Sequence, residues 1–170
     1  MTAAERAAVY PCDALVHPPV EGLWRAVDVG APTGAVFRWL CQLKVAPYSH
    51  DLLDNAGRGS PRRLTPGAER LERGQRILGI FELVDFARDE HLTMTIRPAA
   101  RRVVGAMAVS DVVRPAGAGA TRLVVKQALA CPRLLDRLRL ELLAPGDLLL
   151  MRKQLRTLKR LAEAGAGGPL

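Results

Sequence analysis

The densest group of side chains able to do chemistry lies between Tyr48 and Asn55, in the run Tyr-Ser-His-Asp-Leu-Leu-Asp-Asn. On a helix, His50 and Asp54 would stand at i and i+4 and meet on one face, with Tyr48 near the helix start. A histidine oriented by a carboxylate is the commonest way to build a general base near neutral pH. Tyr48, His50 and Asp51 are therefore the candidate catalytic residues, and Asp54 and Asn55 are candidate polar contacts for a ligand. The competing reading is structural: Ser49 or Asp51 caps a short helix, Asn55 and Gly57 end it, and His50 faces water. The structural reading is preferred, because the chain has three histidines and no second polar cluster answers this one.

Other chemistry is expected even less. His17, His50 and His91 are far apart and show no ligand spacing, so neither a metal nor a cofactor is expected. Gly57-Arg-Gly-Ser-Pro-Arg-Arg63 has glycines and cations suited to a phosphate, but it lacks the Lys-Ser/Thr ending of a P-loop and reads as a surface turn. Glu82 and Asp111 each interrupt an apolar run. Either could be an acid inside a pocket, where burial raises its pKa, although an exposed edge charge is the preferred reading.

Composition bounds the classes open to the chain. With 170 residues, 49% of them hydrophobic and 25% charged, it is expected to form one globular domain with a real core. Residues 1–20 form an irregular arm, 21–165 the domain and 166–170 a flexible tail. Cys12, Cys41 and Cys131 fit neither a disulfide framework nor a zinc motif and are expected to be reduced. With no signal-peptide core in the first twenty residues, the expected location is the cytoplasm. The net charge of +8 invites a nucleic-acid partner, but aromatics are 4% of the chain and scattered, so no stacking platform is visible.

The elements that must hold these residues follow from periodicity. The run Leu23–Val29 alternates as a strand, and a helix from Pro32 to about Leu43 buries Val36, Trp39, Leu40 and Leu43. Short helices are expected over about Ser49–Asn55 and Pro66–Glu72. Strands are expected at Arg76–Ala87, His91–Arg97, Arg102–Val113 and Thr121–Leu129, joined by links short enough for antiparallel hairpins. Cys131–Leu143 reads as a leucine-rich, helical connection. In Arg76–Ala87, Phe81 shares a face with Ile77 and Leu83, yet Leu78, Ile80, Val84 and Phe86 fall opposite. Two apolar faces suggest that one side lines the cavity or core and the other packs on a partner, with a homodimer as the candidate.

The last helix, Asp147–Ala164, organises the rest. Leu148, Leu150, Met151, Leu155, Leu158, Leu161 and Ala162 gather on one side, while Arg152, Lys153, Arg156, Lys159 and Arg160 gather on the other. The basic side reads as solvated in preference to binding an anionic membrane surface. Gln154 falls inside the apolar arc, where its amide needs a polar partner or water. A sheet closed by this helix, with a cavity between them, is the expected architecture.

The order of these elements, together with Val29-Gly-Ala-Pro-Thr-Gly-Ala-Val-Phe-Arg-Trp-Leu40 and the Gly146-Asp147 helix carrying Met151, Gln154-Leu155 and Leu158-Lys159, resembles the START-like (SRPBCC) superfamily. Ala46-Pro-Tyr-Ser-His-Asp-Leu-Leu-Asp-Asn55 followed by Gly57-Arg-Gly-Ser-Pro61 resembles a bacterial subgroup of it. The resemblance covers about residues 21–164. It implies an α+β helix-grip fold, a curved antiparallel sheet wrapped around a long C-terminal helix, with two short helices after the first strand and an apolar tunnel. Six or seven strands are usual there, whereas about five can be placed from the sequence.

The expected role is binding of a hydrophobic small molecule, lipid or polyketide-like. Trp39, Phe81, Met94 and Met107 would supply apolar walls, while Gln154, Tyr48, Asp54 and Asn55 would orient the ligand. The alternative is a polyketide cyclase, aromatase or dehydrase acting on a ligand in the same cavity. A third reading, surface binding of nucleic acid or anionic lipid, rests on the basic helix face alone.

Overall fold

The structure, a computed structural model, describes residues 1–17, 20–48, 59–130 and 134–166, without the side chains of 20, 103, 104, 134–145, 147 and 148. His50, Asp51, Asp54, Asn55 and the helix expected over Ser49–Asn55 lie outside the described residues. So do Cys131 and the Gly57–Arg58 start of the arginine-rich turn.

Six strands form one antiparallel sheet: β1 (Val20–Val29), β2 (Arg76–Ile77), β3 (Phe81–Ala87), β4 (His91–Ile96), β5 (Met107–Pro115) and β6 (Thr121–Ala130). Their order across the sheet is β1-β6-β5-β4-β3-β2, so β2 to β6 form a meander and β1 pairs with the last strand. Among the described residues four α-helices accompany them: α1 (Ala3–Ala7), α2 (Thr33–Cys41), α3 (Pro98–Val104) and α4 (Leu134–Ala166). Pro32 caps α2, and the helix ends in a 3₁₀ turn at Gln42–Lys44.

Alternation assigns the two faces of the sheet. Val27, Val29, Leu83, Leu92, Met94, Ile96, Val109, Val113, Leu123 and Val125 face one side, where they meet α2 and the buried stripe Leu155, Leu158, Leu161 and Ala162 of α4. The helix is fastened beside β1. Glu163 Oε1 accepts from the Gly30 amide at 2.8 Å, and Lys159 Nζ donates to the Asp28 carbonyl at 2.6 Å. Lys159 therefore belongs to a contact and not to the solvated face on which its position on the helical wheel puts it.

The other face is covered by the chain's own N-terminus. Tyr10, Cys12 and Val16 pack on Ala108, Val124 and Ala128, with Trp24 and Val112 at their edge. Trp24 lies across Gly22, where a Cβ would come within 2.3 Å of the indole. The Cys12 amide donates to Ser110 Oγ at 2.9 Å, and Ser110 is in turn hydrogen-bonded to Thr93. Arg122 Nε pairs with Glu5 Oε1 at 2.7 Å. Residues 1–17 are thus part of the fold, where an irregular arm was expected.

Four expectations about elements need correction. Arg76–Ala87 is two strands: Leu78 and Gly79 turn the chain at φ 48° and 74°, and the register shifts between Leu83 and Asp85. This bulge returns Phe86 to the inner face opposite Leu92, so the two apolar sides of the sequence require no second copy. Pro98–Val104 is a helix and not the hairpin and strand start expected there; proline at the first helical position and Ala-Ala-Arg-Arg favour it, and Gly105 at φ 89° ends it. Thr65–Arg70 makes successive turns where a helix was expected over Pro66–Glu72. Finally, α4 begins at Leu134 and runs through Gly146–Asp147 as 33 residues, about 50 Å. The leucine- and arginine-rich run before Gly146 is so strongly helix-forming that the expected start signal lies mid-helix.

Candidate functional site

A cavity of about 220 Å³ lies between the inner face of the sheet and α4. Successive inward positions of β5 supply Met107, Val109 and Asp111, β4 supplies Met94, and β6 supplies Gln127. The turn between β2 and β3 adds Leu78 and Ile80, and the start of β3 adds Phe81. The helix contributes Leu150, Met151 and Gln154, and Pro47 reaches in from the segment after α2. Ile80 is 42% exposed and marks the side open to solvent.

Of the ligand contacts expected from sequence, Phe81, Met94, Met107 and Gln154 meet at this cavity. Gln154 is only 6% exposed, and its Nε2 donates to the Pro47 carbonyl at 2.7 Å. Trp39 and Tyr48 do not line it. They are core residues packed edge to face, with ring centroids 6.0 Å apart and planes at 85°. Tyr48 is held at φ 57°, and its amide donates to Ser60 Oγ at 3.2 Å. Its neighbour Pro47, for which no ligand contact was expected from the sequence, touches the cavity.

Asp111 is the ionisable side chain on the cavity wall. It is 4% exposed, flanked on the neighbouring strands by Leu92 and Val125, and no hydrogen-bond donor meets it among the described residues. Burial alone pushes its carboxyl from the ordinary 3.8 up to about 7. The sequence flagged Asp111 as a break in an apolar run and preferred an exposed edge charge, which its burial corrects. Its register beside Val109 and Met107 settles the matter. Glu82, flagged on the same grounds, is half-buried opposite Thr95 and lies on the strand position facing away from Phe81. Gln127 was missed, although it too breaks an apolar strand.

A larger cleft, about 540 Å³, lies over α2 and the turn after β3. Arg38, Glu69, Arg70, Arg88 and Asp89 on its walls are all exposed, which makes it a solvated surface groove. His91 and Asp85 are 3.2 Å apart and resemble a base with its orienting acid. They stand away from the cavity, and Asp85 is shared with Arg73 at 2.7 Å. The thiols of Cys12 and Cys41 are buried and free, and burial raises Cys41 to about 12, which makes it inert. Among the described residues no group of three or more His, Cys, Asp or Glu could hold a metal ion, and no helix is long and apolar enough to cross a membrane.

Neither a protein-family model nor a curated protein matches the sequence. Solved structures do match. Protein MLL2253 of Mesorhizobium loti superposes with a TM-score of 0.55 at 16% identity, over 85% of this chain and 98% of that one. A Thermobifida fusca protein gives 0.52 at 17% identity, over 82% and 94%. StfQ, the di-domain ARO/CYC of the steffimycin biosynthetic pathway, gives 0.55 at 13% identity over 88% of this chain. The chain has the helix-grip, START-like fold. It spans 52% of StfQ, about one of that protein's two domains. In helix-grip terms, α4 is the gripped helix, the six strands are the wrap, and the 220 Å³ cavity lies between them.

Proposed function

We propose that this chain binds a small apolar molecule in the cavity between α4 and the sheet. The observation that carries the reading is the composition of the wall: Met94, Met107, Val109, Phe81 and Met151 surround the space, and Asp111, Gln127 and Gln154 bring polar atoms to it. Apolar walls with a few polar groups are the pattern of small-molecule sites. The volume limits the ligand. An engineered cavity of about 150 Å³ takes benzene, and drug-sized sites begin at about 300 Å³. One ring or a short acyl segment fits within about 220 Å³. A larger lipid or polyketide-like compound would have to extend past Ile80 into solvent. A cytoplasmic setting is part of this reading, in keeping with the free thiols of Cys12 and Cys41.

Native mass spectrometry of gently purified protein, followed by titration with ethylbenzene, tests the proposal. Retention of a small apolar adduct, or saturable ethylbenzene binding abolished by Val109→Trp, is the expected result. Binding unchanged by a tryptophan filling the cavity would overturn it.

A second reading, acid–base chemistry on a bound compound, is favoured by one observation: Asp111 faces the cavity and titrates near 7, where a carboxyl can both give and take a proton. The likeness in fold to the ARO/CYC StfQ is compatible with it. Turnover of an enolisable ketone that falls at least a hundredfold in Asp111→Asn would support this reading; turnover untouched by that change would remove it.

A further inference from the structure

Two acceptors on the described wall of the cavity, on Asp111 and Gln154, meet no donor among the described residues. Gln154 has spent its amide N–H on Pro47, whose carbonyl can only accept, so the orientation of the side chain is fixed and its Oε1 remains as an acceptor. Asp111 brings two more oxygens to the same wall and meets no donor among the described residues. Among the described residues no lysine, arginine or histidine lines the space. Facing Asp111 are Leu92 and Met94 from β4, Val125 and Gln127 from β6, and Met151 and Gln154 from α4, none of which is charged. An acceptor on a cavity wall that no protein donor meets is open to a donor brought in by a ligand.

Building on the reading of the cavity as a small-molecule site, we infer that it selects an apolar amine, whose ammonium donates to the Asp111 carboxylate and to Gln154 Oε1 while its hydrocarbon body packs on Met94, Met107 and Val109. The converse selectivity follows from the same geometry. A carboxylate ligand, including a fatty acid, would bring further acceptors and a second negative charge to a wall whose described residues include no cation, so acids are rejected. A neutral hydrocarbon fills the space but leaves the oxygens unmet.

Three probes of similar shape test this: 2-phenylethylamine, 3-phenylpropanoate and ethylbenzene, titrated into the ¹⁵N-labelled full chain at pH 7.5 and followed by amide shifts. The amine is expected to bind at least tenfold more tightly than the acid. Asp111→Asn should weaken the amine at least tenfold and leave ethylbenzene within about threefold. An acid that binds as tightly as the amine, or a preference that survives Asp111→Asn, overturns the inference. The wild-type comparison decides by itself if the variant does not fold. Ethylbenzene separates the two levels of the argument. If it binds the wild type and not Val109→Trp while the amine has no advantage, amine selection alone fails. If it does not bind at all, the cavity reading fails with it.

Discussion

Gln154, one of the buried polar side chains of α4, donates its Nε2 hydrogen to the carbonyl of Pro47, 107 residues earlier, at 2.7 Å. The bond ties the long helix to the segment leaving α2 at the edge of the cavity. Gln154→Leu should lower stability by about 1–2 kcal/mol, because the Pro47 carbonyl loses its donor where water is largely excluded. Urea unfolding measures this, and an unchanged midpoint would show that the bond contributes nothing. Gln154→Glu should cost more, since a carboxylate cannot donate and would stand on the same wall as Asp111.

Asp111 makes the protein less stable as pH rises. Its carboxyl keeps its proton in the folded state up to about 7, whereas an unfolded aspartate releases its proton near 3.8. Between those values the folded state binds more protons, so stability declines with increasing pH and the full penalty applies above about 7. The penalty is on the order of 4 kcal/mol. Asp111→Leu should therefore raise the unfolding midpoint at pH 8 much more than at pH 4. Equal effects at both pH values would refute a buried, uncompensated acid.

Glu5 behaves in the opposite sense. Its hydrogen bonds from Arg122 and the Thr2 amide lower its pKa from 4.5 to about 2. The contribution of the pair is complete above about pH 4.5 and is lost as pH falls through 2. Glu5→Gln should reduce stability by about 1 kcal/mol at pH 7. The difference from wild type should vanish near pH 2, and acid titration of the two proteins by circular dichroism checks it.

Lys126 is a buried cation that depends on the N-terminal segment. Its Nζ lies 2.7 Å from Asp13 and 5.1 Å from the centroids of both Tyr10 and Trp24. Asp13→Ala strands the ammonium against these rings and should cost about 3 kcal/mol. Adding Lys126→Met should recover most of that loss, because a methionine there packs on the Tyr10 and Trp24 rings without a charge to be paired. A double variant as unstable as the single one would mean that Asp13 acts through something other than this lysine.

Much of the fold was legible in the sequence because its long-range pattern is simple. Alternation fixed β1, β4 and β6 to within a few residues, and the apolar stripe Leu155, Leu158, Leu161 and Ala162 of α4 is buried as its spacing requires. Sequence reasoning failed where periodicity carries no record of a local event. The turn at Leu78–Gly79 and the bulge before Asp85 leave no interruption in the strand-like run Arg76–Ala87, and the helix Pro98–Val104 begins with the proline that elsewhere marks a loop. The site was half legible for a similar reason. Side chains that alternate inward on named strands, Phe81, Met94 and Met107, could be placed on the cavity, whereas Trp39 and Tyr48 are aromatic enough for a ligand wall but satisfy each other in the core. Asp111 needed the strand register, which links it to residues far away in the chain.

The segment that shields the back of the sheet also dictates an order of events during synthesis. Cys12 waits for Ser110, 98 positions later, and Glu5 waits for Arg122, 117 positions later. Both residues are made well before the strands they pack on, and until β5 and β6 have emerged the nascent chain carries Tyr10 and Val16 with nothing to cover, so the back of the sheet is closed late.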